Sequence, residues 1–250
     1  MKYALPLLFL VAVGCGDNFA DVQEKDTIEA YEEFIKNNPS SGFLMQAEAR
    51  LEDLFLEKAR AEGLESYDLY FERFPDGARK EDATKERERF LFSWAEETNT
   101  KEGWKKFKEE YPKPAKDHVR VVKAMLKVHK YMDNLEVGGP MVEQVNLAED
   151  PEGPLDGWSI SADVTNNGKR TLEQLSMTVV YLDENGKKVG SRKWPAVAPY
   201  WKVPVEEEKK KPFKPGDTIT WNWTTGNVPD GWARQVRVYV SGIAYLGEHD

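Results

Sequence analysis

The chain has 250 residues and carries 44 acidic against 35 basic side chains, for a formal charge of −9. That balance argues against a nucleic-acid partner, which needs a dominant basic surface to displace counterions. The length suits two modest domains better than one, and 8 Trp, 10 Tyr and 11 Phe are enough to fill their cores.

Residues 1–14 open with Met1-Lys2-Tyr3, run apolar from Ala4 to Val13 and end at Gly14, ahead of Cys15-Gly16-Asp17. The apolar run is about half of the roughly 20 residues a membrane span requires, so it reads as an export signal rather than a permanent anchor. Cys15 is the only cysteine and has no partner for an internal disulfide. The segment Ala12-Val13-Gly14-Cys15 resembles a bacterial lipobox, with Ala12 standing where leucine is usual. The resemblance implies cleavage behind Gly14 and acylation of Cys15, with palmitate among the chains, and several chains together anchor stably. Gly16 after the cysteine is similar to the pattern that sends such lipoproteins to the outer membrane, facing the periplasm. An ordinary secretory leader cleaved nearby is the alternative. Residues 15–24 read as a linker.

Residues 25–134 repeat. Pro39, Pro75 and Pro112 are 36 and 37 residues apart; five places before each stand Phe34, Tyr70 and Phe107, and eight places before stand Tyr31, Tyr67 and Trp104. A spacing of three puts both aromatic columns on one helix face, and each proline ends its helix because the residue before it is pushed out of the α region. Second helices follow at about residues 42–60, 79–97 and 116–132, with Ala47 matching Ala83, Ala59 matching Ala95, and Phe55, Leu91 and Val128 in one column. A helix pair of this kind cannot bury its aromatic face alone, and stacking solves the problem. The run from Glu29 through Pro39, followed by Ala47-Glu48-Ala49-Arg50-Leu51, resembles the tetratricopeptide-type repeats of bacterial envelope lipoproteins, including those of the outer-membrane barrel assembly machine. The resemblance covers residues 21–132, is weakest in the third repeat, and implies peptide or protein binding on a concave side; a passive helical spacer is the bland alternative.

Charge is unevenly spread along these helices. Residues 21–99 hold 21 acidic and 11 basic side chains, whereas residues 101–130 hold 10 basic and 4 acidic ones. On the last helix Arg120, Lys123, Lys127 and Lys130 share one arc, with Val121, Met125, Val128 and Met132 on the other side. Together with Lys105, Lys106 and Lys108, this stripe is a candidate contact for an acidic partner or anionic headgroups; a merely solvated face is the default reading.

Beyond Asn134 the period changes. Strands are expected at about residues 141–147, 158–164, 174–182, 218–224 and 235–245, with Asn166-Asn167-Gly168 and Asp183-Glu184-Asn185-Gly186 as turns. No helical stretch interrupts them, so an antiparallel sandwich over residues 135–250 is the natural closure. The whole chain is thus expected as multidomain α then β, helical repeats followed by an immunoglobulin-like β-sandwich. The runs Val164-Thr165-Asn166-Asn167-Gly168, residues 179–186 and Lys214-Pro215-Gly216-Asp217 resemble FxLYD-type domains of exported bacterial proteins, which are extracytoplasmic accessory modules. Residues 191–215 read as a long loop with five prolines and the aromatics Trp194, Tyr200, Trp201 and Phe213, a candidate for partner contact or a flap over a sheet edge. Trp158, Trp221 and Trp223 read as core.

No HExxH, GxSxG, Walker loop or CxxC pair occurs, and His118 and His129 have no cysteine near them. The sequence therefore predicts no enzyme, no cofactor and no metal. It predicts a membrane-anchored envelope scaffold binding an unidentified envelope protein or peptide, with no nucleic acid. The competing reading is a carbohydrate-binding protein that uses Trp194 and Trp201.

Overall fold

The computed structural model describes residues 18–148, 152–199 and 206–248. Seven helices lie in the N-terminal part of these residues and antiparallel sheets follow, an α then β layout. Two compact units meet inside the fifth helix, between Trp94 and Ala95. Helices give way to strands near Asn134, as the sequence indicates, but the second unit begins well before that point and takes in the last two helices.

The first unit holds α1 (Phe19–Lys25), α2 (Ile28–Asn37), α3 (Leu44–Glu62), α4 (Leu64–Arg73) and most of α5 (Lys80–Thr98). α1 occupies ground read from sequence as linker. Its Phe19 and Val22 are buried and complete the cluster of Tyr31, Phe34, Ala47 and Leu51. α2 starts where the Thr27 hydroxyl accepts from the Ala30 N–H at 3.2 Å, satisfying one of the free donors of the first turn. A second cluster joins Leu56 and Ala59 of α3 to Tyr67 and Tyr70 of α4 and Ala83 of α5.

Glu52 fixes the α4–α5 corner. It is buried, and its carboxylate accepts from the Tyr70 hydroxyl at 2.7 Å and from the backbone N–H groups of Ala78 at 3.1 Å and Arg79 at 2.7 Å, so a side chain of α3 caps the start of α5. Gly77 fits closely beside it, because a Cβ there would displace the Glu52 carboxylate. Burial and the neighbouring carboxylate together push the Tyr70 hydroxyl far above its usual pKa.

The second unit contains α6 (Lys101–Glu110), α7 (Lys116–His129) and seven strands among the described residues. β3 (Gly157–Asn166) pairs along one side with β6 (Thr218–Thr225) and along the other with β1 (Leu135–Val137) and β2 (Met141–Val145) in succession. The second sheet runs β5 (Lys188–Val197), β4 (Leu172–Leu182), β7 (Gln235–Tyr245). One hydrophobic cluster draws Ile160, Ala162, Val164 and Trp221 from the first sheet and Leu175, Met177, Val179, Tyr181 and Val240 from the second. Val128 of α7, Tyr131 and Leu135 belong to that same cluster. Tyr131 fastens the helix end: its hydroxyl donates toward Asn166 Oδ1 at 3.0 Å and accepts from the Arg170 N–H at 3.1 Å.

The loop expected over residues 191–215 is corrected at its start. Residues 188–197 form β5, an edge strand paired with β4, and Pro195 is accommodated because an edge strand can leave one side of its backbone unpaired. Farther on, Glu207–Lys210 makes a short 3-10 turn and the buried Phe213 exchanges backbone hydrogen bonds with Leu172 at 2.8 and 2.9 Å.

Candidate functional site

The basic stripe on α6 and α7 is positioned by what the two helices bury. The Thr100 hydroxyl accepts from the Gly103 N–H at 3.0 Å and starts α6, whose Trp104 and Phe107 are buried; Lys105, Lys106 and Lys108 then face solvent. On α7 the buried residues are Val122, Met125 and Val128, so Arg120, Lys123 and Lys130 are exposed. Lys106 is tied to Glu110 at 3.1 Å, one turn away on its own helix.

Lys127 sits differently. It is half-buried, binds Glu248 at 3.0 Å and lies 5.4 Å from the centre of the Tyr245 ring. Glu248 also takes Arg170 at 2.9 Å, and the two cations hold its carboxyl below the usual carboxylate range. Arg170 in turn covers Tyr245 at 3.3 Å. Sequence reasoning places Lys127 in the stripe because its partner lies 121 positions away, beyond any helical or strand period.

A separate charged cleft of about 170 Å³ opens in the first unit between Asp53, Leu56, Glu57 and Arg60 of α3 and Arg79 and Asp82 at the start of α5. Its arginines are engaged. Arg79 binds Asp53 at 2.9 Å, and Arg60 makes a two-pronged contact with Glu86 at 2.8 Å on each prong. Glu57 is held by Arg50 at 2.8 Å, the same Arg50 that grips Asp26 bidentately and holds its carboxyl below the ordinary value. The sequence reading missed this cleft, because the pairs that join its helices are 24 to 26 positions apart.

The aromatic candidates divide. Trp194 is half-buried on β5 with its ring 4.8 Å from that of Trp223, which leaves little of that face for a sugar ring. Trp221 is fully buried, while Trp158 and Trp223 are half-buried; Trp223 donates to the Tyr181 hydroxyl at 3.0 Å and Trp158 meets Trp232 edge to face at 5.1 Å. Tyr200, Trp201 and Cys15, together with the expected signal segment 1–14, lie outside the described residues.

Among the described residues no three His, Cys, Asp or Glu side chains converge to hold a metal ion, and no helix is long and apolar enough to cross a membrane. His118 packs edge-on against Phe107 at 5.8 Å, and His129 lies 3.3 Å from Asn99 Oδ1, which also accepts from Trp104 Nε1 at 3.2 Å. Burial holds the His129 pKa below its ordinary value.

No family model matches the chain, and no curated protein matches it. Among solved structures, it is similar to a Pseudomonas fluorescens alkylpurine DNA glycosylase, AlkC, bound to DNA containing an abasic-site analogue, with 12% identity over 91% of this chain and 52% of that one, at a TM-score of 0.31. It is also similar to a structural-genomics target, with 14% identity over 46% of this chain and 88% of the other and a TM-score of 0.24. A Bordetella pertussis protein described as ApaA gives 15% identity over 45% and 89%, with a TM-score of 0.21. Two exclusions read from the sequence are corrected here. The sequence excludes an enzyme and a nucleic-acid partner, yet the broadest of these likenesses is to an enzyme bound to DNA, and neither exclusion is kept. At these TM-scores the likenesses assign no activity and no ligand to the present chain.

Proposed function

We propose that this chain is an envelope lipoprotein, anchored through an acylated Cys15 and directed to the outer membrane, that acts as a scaffold for a protein partner. In this reading the helical pairs are tetratricopeptide-like repeats, and the two sheets are an immunoglobulin-like sandwich of the FxLYD type. Burial in register supports the repeats: Tyr31, Tyr67 and Trp104 are all buried, as are Phe34, Tyr70 and Phe107, and Ala47, Ala59, Ala83 and Ala95 are fully enclosed. The core shared by both sheets supports the sandwich.

The observation that carries the partner reading is the face of α6 and α7. Lys105, Lys108, Arg120, Lys123 and Lys130 are exposed and bind no carboxylate among the described residues, in a chain whose overall charge is −9. A local field of that sign attracts an acidic protein segment, speeds its encounter and weakens with salt.

Crosslinking in the native envelope, after nuclease treatment, followed by mass spectrometry tests this directly. Wild type is expected to capture a partner with an acidic segment, and the combined variant Lys105→Glu, Lys108→Glu, Lys123→Glu to lose it. Capture that does not weaken between low and physiological salt would overturn the docking face. Recovery of the uncleaved Met1 leader on soluble cytosolic material would overturn the anchor.

A further inference from the structure

On α2, Glu29 and Glu33 stand one helical turn apart on the side away from the buried Tyr31 and Phe34, and both are exposed. α4 repeats the arrangement. Glu65 and Glu72, two turns apart, are exposed on the side away from the buried Tyr67 and Tyr70. Glu65 holds the repeat position of Glu29, two places before the aromatic, and an ion pair of Glu32 with Arg73 at 3.8 Å joins the two helices. The four carboxylates bind no cation among the described residues, and Lys36 is the one base on their arc. Glu29 and Glu33, four apart on one helix, repel each other in the free chain. Leu69 lies among these acids, at the place that Glu33 holds on α2, and is 50% exposed.

The face of α6 and α7 is the converse. Lys105 and Lys108 share one side of α6, and Arg120, Lys123 and Lys130 run along α7, all exposed and bound to no acid among the described residues. Val119, one turn before Lys123, is 48% exposed. Each face is therefore charge of one sign around an exposed apolar side chain, the layout of a protein contact with a greasy centre and a polar rim. The wider balance agrees: residues 21–99 hold 21 acidic and 11 basic side chains, and residues 101–130 hold 10 basic and 4 acidic ones.

Building on the docking face of α6 and α7, we propose that the acidic segment it takes is the α2 and α4 face of a second copy of this chain. Charge complementarity selects that occupant, since every copy brings both surfaces and pairing them relieves the like-charge repulsion on each. Leu69 of one copy and Val119 of the next are covered in the contact. Because the two surfaces differ, the contact is head-to-tail. Each copy in a pair keeps one unused face and can take a further copy, which builds a ring or an open row. Copies anchored in one membrane are held at high effective concentration, so a weak contact suffices.

Sedimentation velocity of the full chain in nonionic detergent, at low and at physiological salt, tests the proposal. Wild type is expected to form assemblies larger than one copy at low salt, which dissociate as salt rises. The basic reversal (Lys105→Glu, Lys108→Glu, Lys123→Glu) and the acidic reversal (Glu29→Lys, Glu33→Lys, Glu65→Lys, Glu72→Lys) are each expected as single copies. An equimolar mixture of the two is expected to associate again, because each supplies the face that the other lacks. Leu69→Ser, which leaves every charge in place, is expected to weaken association by about fivefold or more. Wild type that stays a single copy at low salt, a mixture that stays unassociated, or unchanged association in Leu69→Ser would each overturn the pairing. The last result would mark diffuse attraction between opposite charges. If the acidic reversal fails to fold, Leu69→Ser and the basic reversal decide. Capture of a different acidic protein by a wild type that is itself a single copy would overturn the second copy as occupant and leave the docking face standing. Assemblies that survive the basic reversal would overturn the face itself.

Discussion

Glu52 is costly to disturb, because three donors converge on the carboxylate of a residue that is only 7% exposed. Glu52→Ala strands two backbone N–H groups and the Tyr70 hydroxyl, and chemical denaturation should show a loss of about 3 kcal/mol. Glu52→Gln keeps an oxygen acceptor and should cost less than half as much. His129 offers a pH test. Burial keeps its folded pKa below the ordinary imidazole value, so the unfolded chain takes up the proton first. Its stabilising contribution is complete above pH 6.5 and is lost as pH falls through the folded value. Melting temperature should therefore drop between pH 7.5 and pH 5.5, above the range in which carboxylates titrate, and His129→Gln should flatten that slope. None of this is legible in the sequence. Glu52 is one acid among 44, and nothing in its neighbourhood announces that Ala78 and Arg79 will present their N–H groups to it.

Elements were easier to read than residues, and the reason is periodicity. The aromatic pairs three apart and the matched alanines located α2 through α7 closely, because a 3.6-residue repeat written three times is a strong signal. β5 escaped because Pro195 and Pro199 bracket its end and its burial changes character midway, exposed at Arg192 and Lys193 and enclosed at residues 195–197. α1 escaped because seven residues are too few to display a face. The α3–α4 joint gives a sharper test. Gly63 has φ +97°, and a Cβ there would stand 2.7 Å from Phe90 Cζ. Gly63→Ala should combine left-handed strain with displacement of that ring and lower stability by about 2 kcal/mol. Phe90→Leu should recover part of the loss if the ring contact matters, and equal melts for the single and double variants would show that backbone strain acts alone.

At the scale of the molecule, the change from helix to strand is not where the two compact units divide. Val128, Tyr131 and Leu135 belong to one core with the sheets, and the second unit opens at Ala95. A fragment of residues 95–250 is expected to melt cooperatively, whereas a fragment of residues 135–250 loses two enclosed side chains and the Tyr131 hydroxyl bonds and should melt lower and more broadly. Identical transitions in circular dichroism would show that the last helices are dispensable. A change of hydrophobic period marks where secondary structure switches, but it carries no record of which elements share a core, and that information sits in pairs such as Tyr131 with Asn166, 35 positions apart. The Glu52–Gly77 contact has a further consequence, for descent. Because any larger residue at 77 strikes that carboxylate, the two sites are free to drift only together. Among natural variants of this chain, alanine or serine at 77 should appear beside a shortened residue at 52, and a repeat grafted from elsewhere without that match should open the α4–α5 corner.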